Sequence, residues 1–159
     1  MRLLISIFAV LTISTVANAA EPVVALSPEA QRALLASDDP QLAANKKLVW
    51  DMWRNFLQAN NVDAADTYLA EEYHQHNPNA ETGLAGVKAY FSAQNRPVQP
   101  TKDYIDRLVT MVAERDLVTL ALVREGVDKD GNAYTTTWFD MFRIADGKII
   151  EHWDTATKP

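Results

Sequence analysis

Apolar positions recur at helical spacing through the first half of the chain and alternate with polar ones through much of the second. From about Gln41 to Gln58, Leu42, Val49, Trp53 and Phe56 fall on one helical face, widened by Trp50, Met52 and Leu57. Lys46, Lys47, Asp51 and Arg54 make its wet side, and Asn60-Asn61 ends it. Shorter helices are predicted over Val62 to Leu69 and over Leu84 to Gln94, the latter burying Val87, Tyr90 and Phe91. Ahead of these, Ser27-Pro28-Glu29 supplies an N-cap, a first-turn proline and an acidic first turn. A short helix from Pro28 to Ala36 is therefore expected, set off by the polar breaker Ser37-Asp38-Asp39-Pro40. Glu71 to Pro78 is polar and reads as extended. From Asp103 onward β-branched and aromatic residues dominate. Turn signals at Glu114-Arg115-Asp116, Asp128 to Asn132 and Ala145 to Lys148 divide this half into four strands: Tyr104–Ala113, Val118–Val127, Tyr134–Ile144 and Ile149–Thr155. Helices followed by an antiparallel meander place the chain in the α+β class.

The N-terminus changes the picture of where the domain works. Met1-Arg2, an apolar run from Leu3 to Val16 and the small-x-small triplet Ala17-Asn18-Ala19 have the layout of a secretory signal peptide, cut after about Ala19. The run is shorter than the ~20 residues a spanning helix needs. A periplasmic or secreted protein is expected, with no membrane attachment after cleavage. The chain then divides into a leader (1–19), an N-terminal arm (20–39) and one domain (40–159). The arm is expected to pack loosely or to serve a partner. There is no cysteine, so an exported domain of this kind must hold together by packing, and thiol chemistry is excluded. The formal net charge of −6, with no basic cluster, makes nucleic acid and anionic membranes poor partners.

Candidate chemistry lies on the third predicted strand. Alternation puts Tyr134, Thr136, Trp138, Asp140, Phe142 and Ile144 on one face. If that face meets the core, Asp140 is a desolvated carboxyl among aromatics, which makes it either a structural acid or a candidate general acid/base. The last hairpin decides its neighbours, because a one-residue slip flips every side chain. A two-residue Asp146-Gly147 loop pairs Ile144 with Ile149 and sets Asp140 opposite Trp153. A three-residue loop with Gly147 as a left-handed bulge pairs Ile144 with Lys148 and sets Asp140 opposite His152. It also sets Phe142 opposite Ile150 and Trp138 opposite Asp154. The second is preferred, because it keeps Glu151 near Arg143 and off the Asp140 face. Both loops are common.

A second cluster is Tyr73-His74-Gln75-His76-Asn77-Pro78. A zinc site of His74, His76 and His152 can be drawn, but the spacing is no specific motif and no metal is expected. Gln75 or His76 is better suited to hydrogen-bond a ligand carbonyl. No Gly-rich phosphate loop or Gly-x-Ser-x-Gly elbow is present. The four tryptophans, Trp53 and Trp138 among them, read as core before they read as a binding platform.

Taken in order, Tyr73-x-Gln75-His76-Asn77-Pro78, Gly83 and the closing run Asp140-x-Phe142-Arg143-Ile144-x-x-Gly147-Lys148-Ile149-x-Glu151-His152-Trp153-Asp154 resemble the signatures of SnoaL-like proteins, of the nuclear-transport-factor-2-like superfamily. The resemblance covers about Leu42 to Ala156. It implies a cone: a curved, mostly antiparallel sheet wrapped over three helices, with a pocket at the open end, and frequent homodimers packed sheet to sheet. It further implies a polyketide-cyclase type of chemistry that needs no cofactor. In that chemistry Asp140 is the acid/base, and His76 and His152 are partners of an enolate or carbonyl. Tyr73, Gln75, Asn77, Trp53, Trp138, Phe142 and Asp154 would then contact the substrate. Three functions compete: an acid/base enzyme acting on a small apolar carbonyl compound by aldol cyclisation, isomerisation or a lyase step; a non-catalytic periplasmic small-ligand-binding protein; and a scaffold.

Overall fold

The computed structural model describes residues 22–158, so the leader read in residues 1–19 lies outside the described residues. Among the described residues no helix is long and apolar enough to cross a membrane. The helices are α1 (Pro28–Ala33), α2 (Pro40–Met52), α3 (Ala65–Tyr68) and α4 (Leu84–Ala93). The strands are β1 (Leu69–Gln75), β2 (Leu108–Glu114), β3 (Leu117–Val127), β4 (Ala133–Ala145) and β5 (Lys148–Asp154). The strand order is β1-β5-β4-β3-β2; β1 runs parallel to β5 and every other pairing is antiparallel. The curved sheet holds α2, α3 and α4 against one face, as the cone expectation required.

Two expected elements change character. The first long helix stays α-helical only to Met52; over Trp53–Gln58 it widens to a π-helical turn, which Ala59 N–H closes on the Arg54 carbonyl at 3.1 Å. Such widened turns re-aim side chains and cluster at functional sites. The strand expected from Tyr104 begins at Leu108 instead. The stretch before it is held by side chains: Gln58 takes the Asp106 N–H at 2.7 Å and gives an N–H to the Tyr104 carbonyl at 3.0 Å. Arg107, at φ 66°, then turns the chain into the sheet.

The arm is tied to the domain rather than loose. Ser27 caps α1, accepting the Ala30 N–H at 3.2 Å. From inside that helix Gln31, 1% exposed, donates to the carbonyls of Leu26 (3.0 Å) and Ile105 (2.9 Å) and accepts the Ile105 N–H at 2.9 Å. Lys46, expected on the wet side of α2, is buried, and its ammonium caps the carbonyls of Leu34 and Ala36 just past α1. A cation there satisfies acceptors that the helix end leaves open.

The last hairpin follows neither expected register throughout. Asp146 (φ 50°) and Gly147 (φ 71°) both lie in the left-handed region, as a two-residue type I′ turn demands, and Ile144 faces Ile149. The ladder then slips: Arg143 faces Glu151, Phe142 faces His152, and Asp140 faces Asp154. The extra residue is Ile150, a β-bulge. The turn satisfies the local φ preferences, and the bulge restores the burial pattern. Ile149 and His152 both point inward, while Glu151 stays on the outer face with Arg143. The expected facing of Trp138 with Asp154 and of Phe142 with Ile150 is corrected accordingly.

Candidate functional site

The inner face of the sheet and the helices above it enclose a cavity of about 500 Å³. Trp53, Phe56 and Leu57 enter it from the widened turn after α2, and Val87, Tyr90 and Phe91 from α4. Leu122, Trp138 and Phe142 form its sheet-side wall. The expected inward face of β4 holds from Trp138 to Ile144, but Tyr134 and Thr136 run past the core and are exposed. Trp53 meets Phe142 edge to face at 6.4 Å, an arrangement that suits the ring quadrupoles. All seven expected contact residues, Tyr73, Gln75, Asn77, Trp53, Trp138, Phe142 and Asp154, line this cavity, as do Asp140 and His152.

His76 does not. Along β1 and the two residues past its end, alternation sends Tyr73, Gln75 and Asn77 inward and His74 and His76 outward. On the outer face the His76 ring stacks on Trp153 at 4.8 Å, and its Nε2 lies 2.8 Å from Glu151 Oε1. That hydrogen bond, with the nearby Arg143 cation adding to it, holds the Glu151 carboxyl below its usual range. The role of His76 as an enolate partner is therefore corrected to one in the outer surface of the sheet. The three histidines do not converge either, because His152 is on the inner face.

Asp140 and His152 do meet, though diagonally rather than as facing residues. His152 stacks on Phe142 at 4.6 Å, and its Nε2 reaches Asp140 Oδ1 at 2.9 Å. Diagonal neighbours on antiparallel strands lie within reach of long or aromatic side chains. The hydrogen-bond network assigns protons around this pair. Asn77 N–H donates to Gln75 Oε1 at 2.9 Å, and a backbone N–H can only donate, so Oε1 is the acceptor facing His152 Nδ1 at 3.0 Å. Nδ1 therefore carries a hydrogen. The 2.9 Å contact between Nε2 and Oδ1 then needs one further proton, borne either by the imidazole or by the carboxyl.

The same reasoning orients Asn77. Its Oδ1 accepts the Asn79 N–H at 2.8 Å, so its Nδ2 is the group that donates to Asp154 Oδ2 at 2.6 Å. Asp154 Oδ1 takes the Ala156 N–H at 2.8 Å, so both its oxygens accept, as an ionised carboxylate does. Facing carboxyls on neighbouring strands repel unless neutralised. Here the shared proton of the Asp140–His152 pair offsets that repulsion. The side chain of Asp140 is 7% exposed, and its Oδ2 has no protein partner. It is a buried acceptor in a residue that lines a largely apolar cavity. Ligand atoms of Asp140, His152 and Asp154 lie within 4.8 Å of one another, a donor set that could hold a divalent cation. In the arrangement observed, both Asp154 oxygens and both His152 nitrogens are already engaged in hydrogen bonds.

Tyr73 completes the polar end. Its hydroxyl accepts from Gln75 Nε2 at 3.3 Å, which leaves its own O–H free to donate into the cavity. Burial, reinforced by the negative charges of Asp140 and Asp154, pushes the phenol far above its ordinary value. Tyr73 is thus a donor throughout the physiological range. An unfolded tyrosine ionises near pH 10. The stability linked to this group is therefore complete below about pH 10 and is lost as the pH rises beyond it. Native protein titrated to pH 11 should show the same phenolate absorbance at 295 nm for Tyr73→Phe as for wild type, and the variant should lose part of the alkaline fall in stability. A smaller native amplitude in the variant would place an ionisable Tyr73 in contact with water.

Sequence reasoning did not anticipate Arg96 and Arg124 on the cavity lining. A signal for Arg124 existed: Leu120, Leu122 and Arg124 share the inward register of β3.

Residues 50–152 match a family model described as a SnoaL-like domain. Among solved structures, a candidate polyketide cyclase from Acidithiobacillus ferrooxidans superposes with a TM-score of 0.53 at 18% identity, over 75% of this chain and 89% of that one. An LEH-like epoxide hydrolase of M. tuberculosis gives 0.52 at 16% identity, over 72% and 84%. An NTF2-like protein of unknown function from Burkholderia pseudomallei gives 0.50 at 14%, over 72% and 91%. At these identities the likeness is one of fold. None of the curated proteins matches the chain by sequence.

Proposed function

The chain belongs to the SnoaL-like family, and from that premise we propose an acid/base enzyme that acts on a small, mostly apolar carbonyl compound, with Asp140 moving the proton. One observation carries the reading: in Asp140, a residue of the cavity lining, the buried carboxyl oxygen Oδ2 has no partner, while its twin is held by an imidazole whose tautomer is set from behind. The neighbouring Asp154, by contrast, has both oxygens satisfied.

In the working state His152 carries the shared proton and Asp140 is a carboxylate. Oδ2 takes a proton from the carbon next to the substrate carbonyl, leaving an enolate and a neutral Asp140 carboxyl. The Tyr73 O–H donates a hydrogen bond to the enolate oxygen, where negative charge develops, and such a donor in a water-poor site contributes most at that moment. Where the substrate has a carbon–carbon double bond conjugated with the enolate, the carboxyl then returns its proton to the far carbon of that system, giving isomerisation. Alternatively, the enolate carbon attacks a second carbonyl of the same molecule, giving aldol closure, and the proton goes to the new alkoxide. Either outcome balances without a redox partner.

The test is proton exchange. Small cyclic and acyclic ketones incubated with the protein in D₂O should lose their α-proton NMR signals faster than in buffer alone. Ketones that bind, as saturation-transfer contacts would show, but exchange at the buffer rate would replace the enzyme with a non-catalytic binding protein.

A further inference from the structure

Positive charge at the cavity rim is unaccounted for by proton transfer. Arg96, in the loop after α4, and Arg124, on β3, both line the cavity and are exposed. Arg32, Arg54, Arg107 and Arg143 each hold a carboxylate; Arg96 and Arg124, like Arg115 away from the cavity, hold none among the described residues. Arg124 is nonetheless positioned, its guanidinium lying 4.1 Å over the Trp138 ring. Stacking on an indole uses one face of the fork and leaves the N–H edge free. This occurs on a protein of net charge −6, whose general field would repel an anion.

The polarity of the cavity therefore runs in one direction. Asp140 and His152 are buried with half-buried Asp154 beside them, other lining residues are aromatic and aliphatic, and two free guanidiniums are exposed. The acidic residues of the lining are Asp140 and Asp154, whose carboxylates face each other across the β4–β5 ladder. An anionic group pushed there would meet the Asp154 carboxylate. At the rim it would meet two uncompensated cations, one of them already held in place.

We infer that the ligand of this cavity is an amphipathic acid, whose carboxylate or similar anionic group is held by Arg96 and Arg124 at the rim while its apolar body enters toward Asp140. The inference gives the substrate class of the site just described. It rests on that cavity being the binding site, and not on proton transfer taking place there.

Octanoate and 1-octanol serve as probes, having the same chain length and opposite charge character, and calorimetric titration at pH 8 in low salt compares them. Octanoate should bind at least tenfold more tightly. Raising the salt to 0.5 M should shrink that preference, because exposed charges are screened. In the double variant Arg96→Gln/Arg124→Gln the preference should fall below threefold while 1-octanol binding is unchanged, which shows that the cavity is intact. Asp140→Asn should keep the preference, so loss of proton exchange and loss of acid selectivity are read separately. Equal affinities in wild type, a preference that survives the double variant, or no octanoate binding would each overturn the inference.

Discussion

Asp140→Asn should lower the proton-exchange rate by roughly 10²–10⁴, the range a positioned general base contributes, without lowering the melting temperature. The first half follows from chemistry: an amide at this position cannot take and return a proton. The second half follows from the surroundings. The native carboxyl faces Asp154 across the ladder and leaves Oδ2 buried without a partner. An uncharged side chain of the same shape removes the like-charge conflict and can still hydrogen-bond His152. Functional groups held in such settings commonly cost stability, so their removal is neutral or stabilising. Steady-state exchange rates and thermal melts of the same preparations decide the matter. A variant that keeps its rate within tenfold, or loses rate and melting temperature together, would reduce Asp140 to a structural acid.

The largest stability effect is expected far from the cavity. Gln31→Ala should destabilise the fold by about 2–4 kcal/mol, because each buried polar group left without a partner costs about 1–3 kcal/mol. The side chain holds both the N–H and the carbonyl of Ile105, a residue with no exposed surface. In a domain of this size the melting temperature should drop by roughly 10 °C. Arg32→Ala, one residue along the same helix, removes an exposed pair with Asp103 and should change stability by under about 0.5 kcal/mol. Urea unfolding of the two variants makes the comparison. Equal, small losses in both would mean that the arm is an appendage after all.

The two regions differ in how far they could be read from the chain itself. The helix stripe of Val49, Trp53 and Phe56 and the inward face of β4 from Trp138 to Ile144 were legible, because periodicity and burial are linked residue by residue; the meeting of Asp140 with His152 was expected in only one of two hairpin registers, and the hairpin keeps neither throughout. Gln31 was not, since nothing in a solvated-looking helix announces a side chain whose partners lie 74 positions away. Lys46 was misjudged for the same reason: its charge predicted solvent, and the open carbonyls past the end of α1, which its ammonium reaches from α2, overrode that. His76 was grouped with the site because it shares a motif with Gln75, although alternation had already separated their faces.

The amino-acid sequence by itself determined the kinds of elements, their order, the α+β class and the face on which the acid stands, because each depends on spacing along a few neighbouring residues. Only the tertiary structure decided that a two-residue turn followed by the Ile150 bulge sets Asp140 across from Asp154 and diagonal to His152, and that β1 runs parallel to β5 and delivers Tyr73, Gln75 and Asn77 to them. Register between strands and the placement of a distant strand are choices among alternatives that satisfy local preferences equally well. They are settled by which of those alternatives leaves the fewest charges buried without partners.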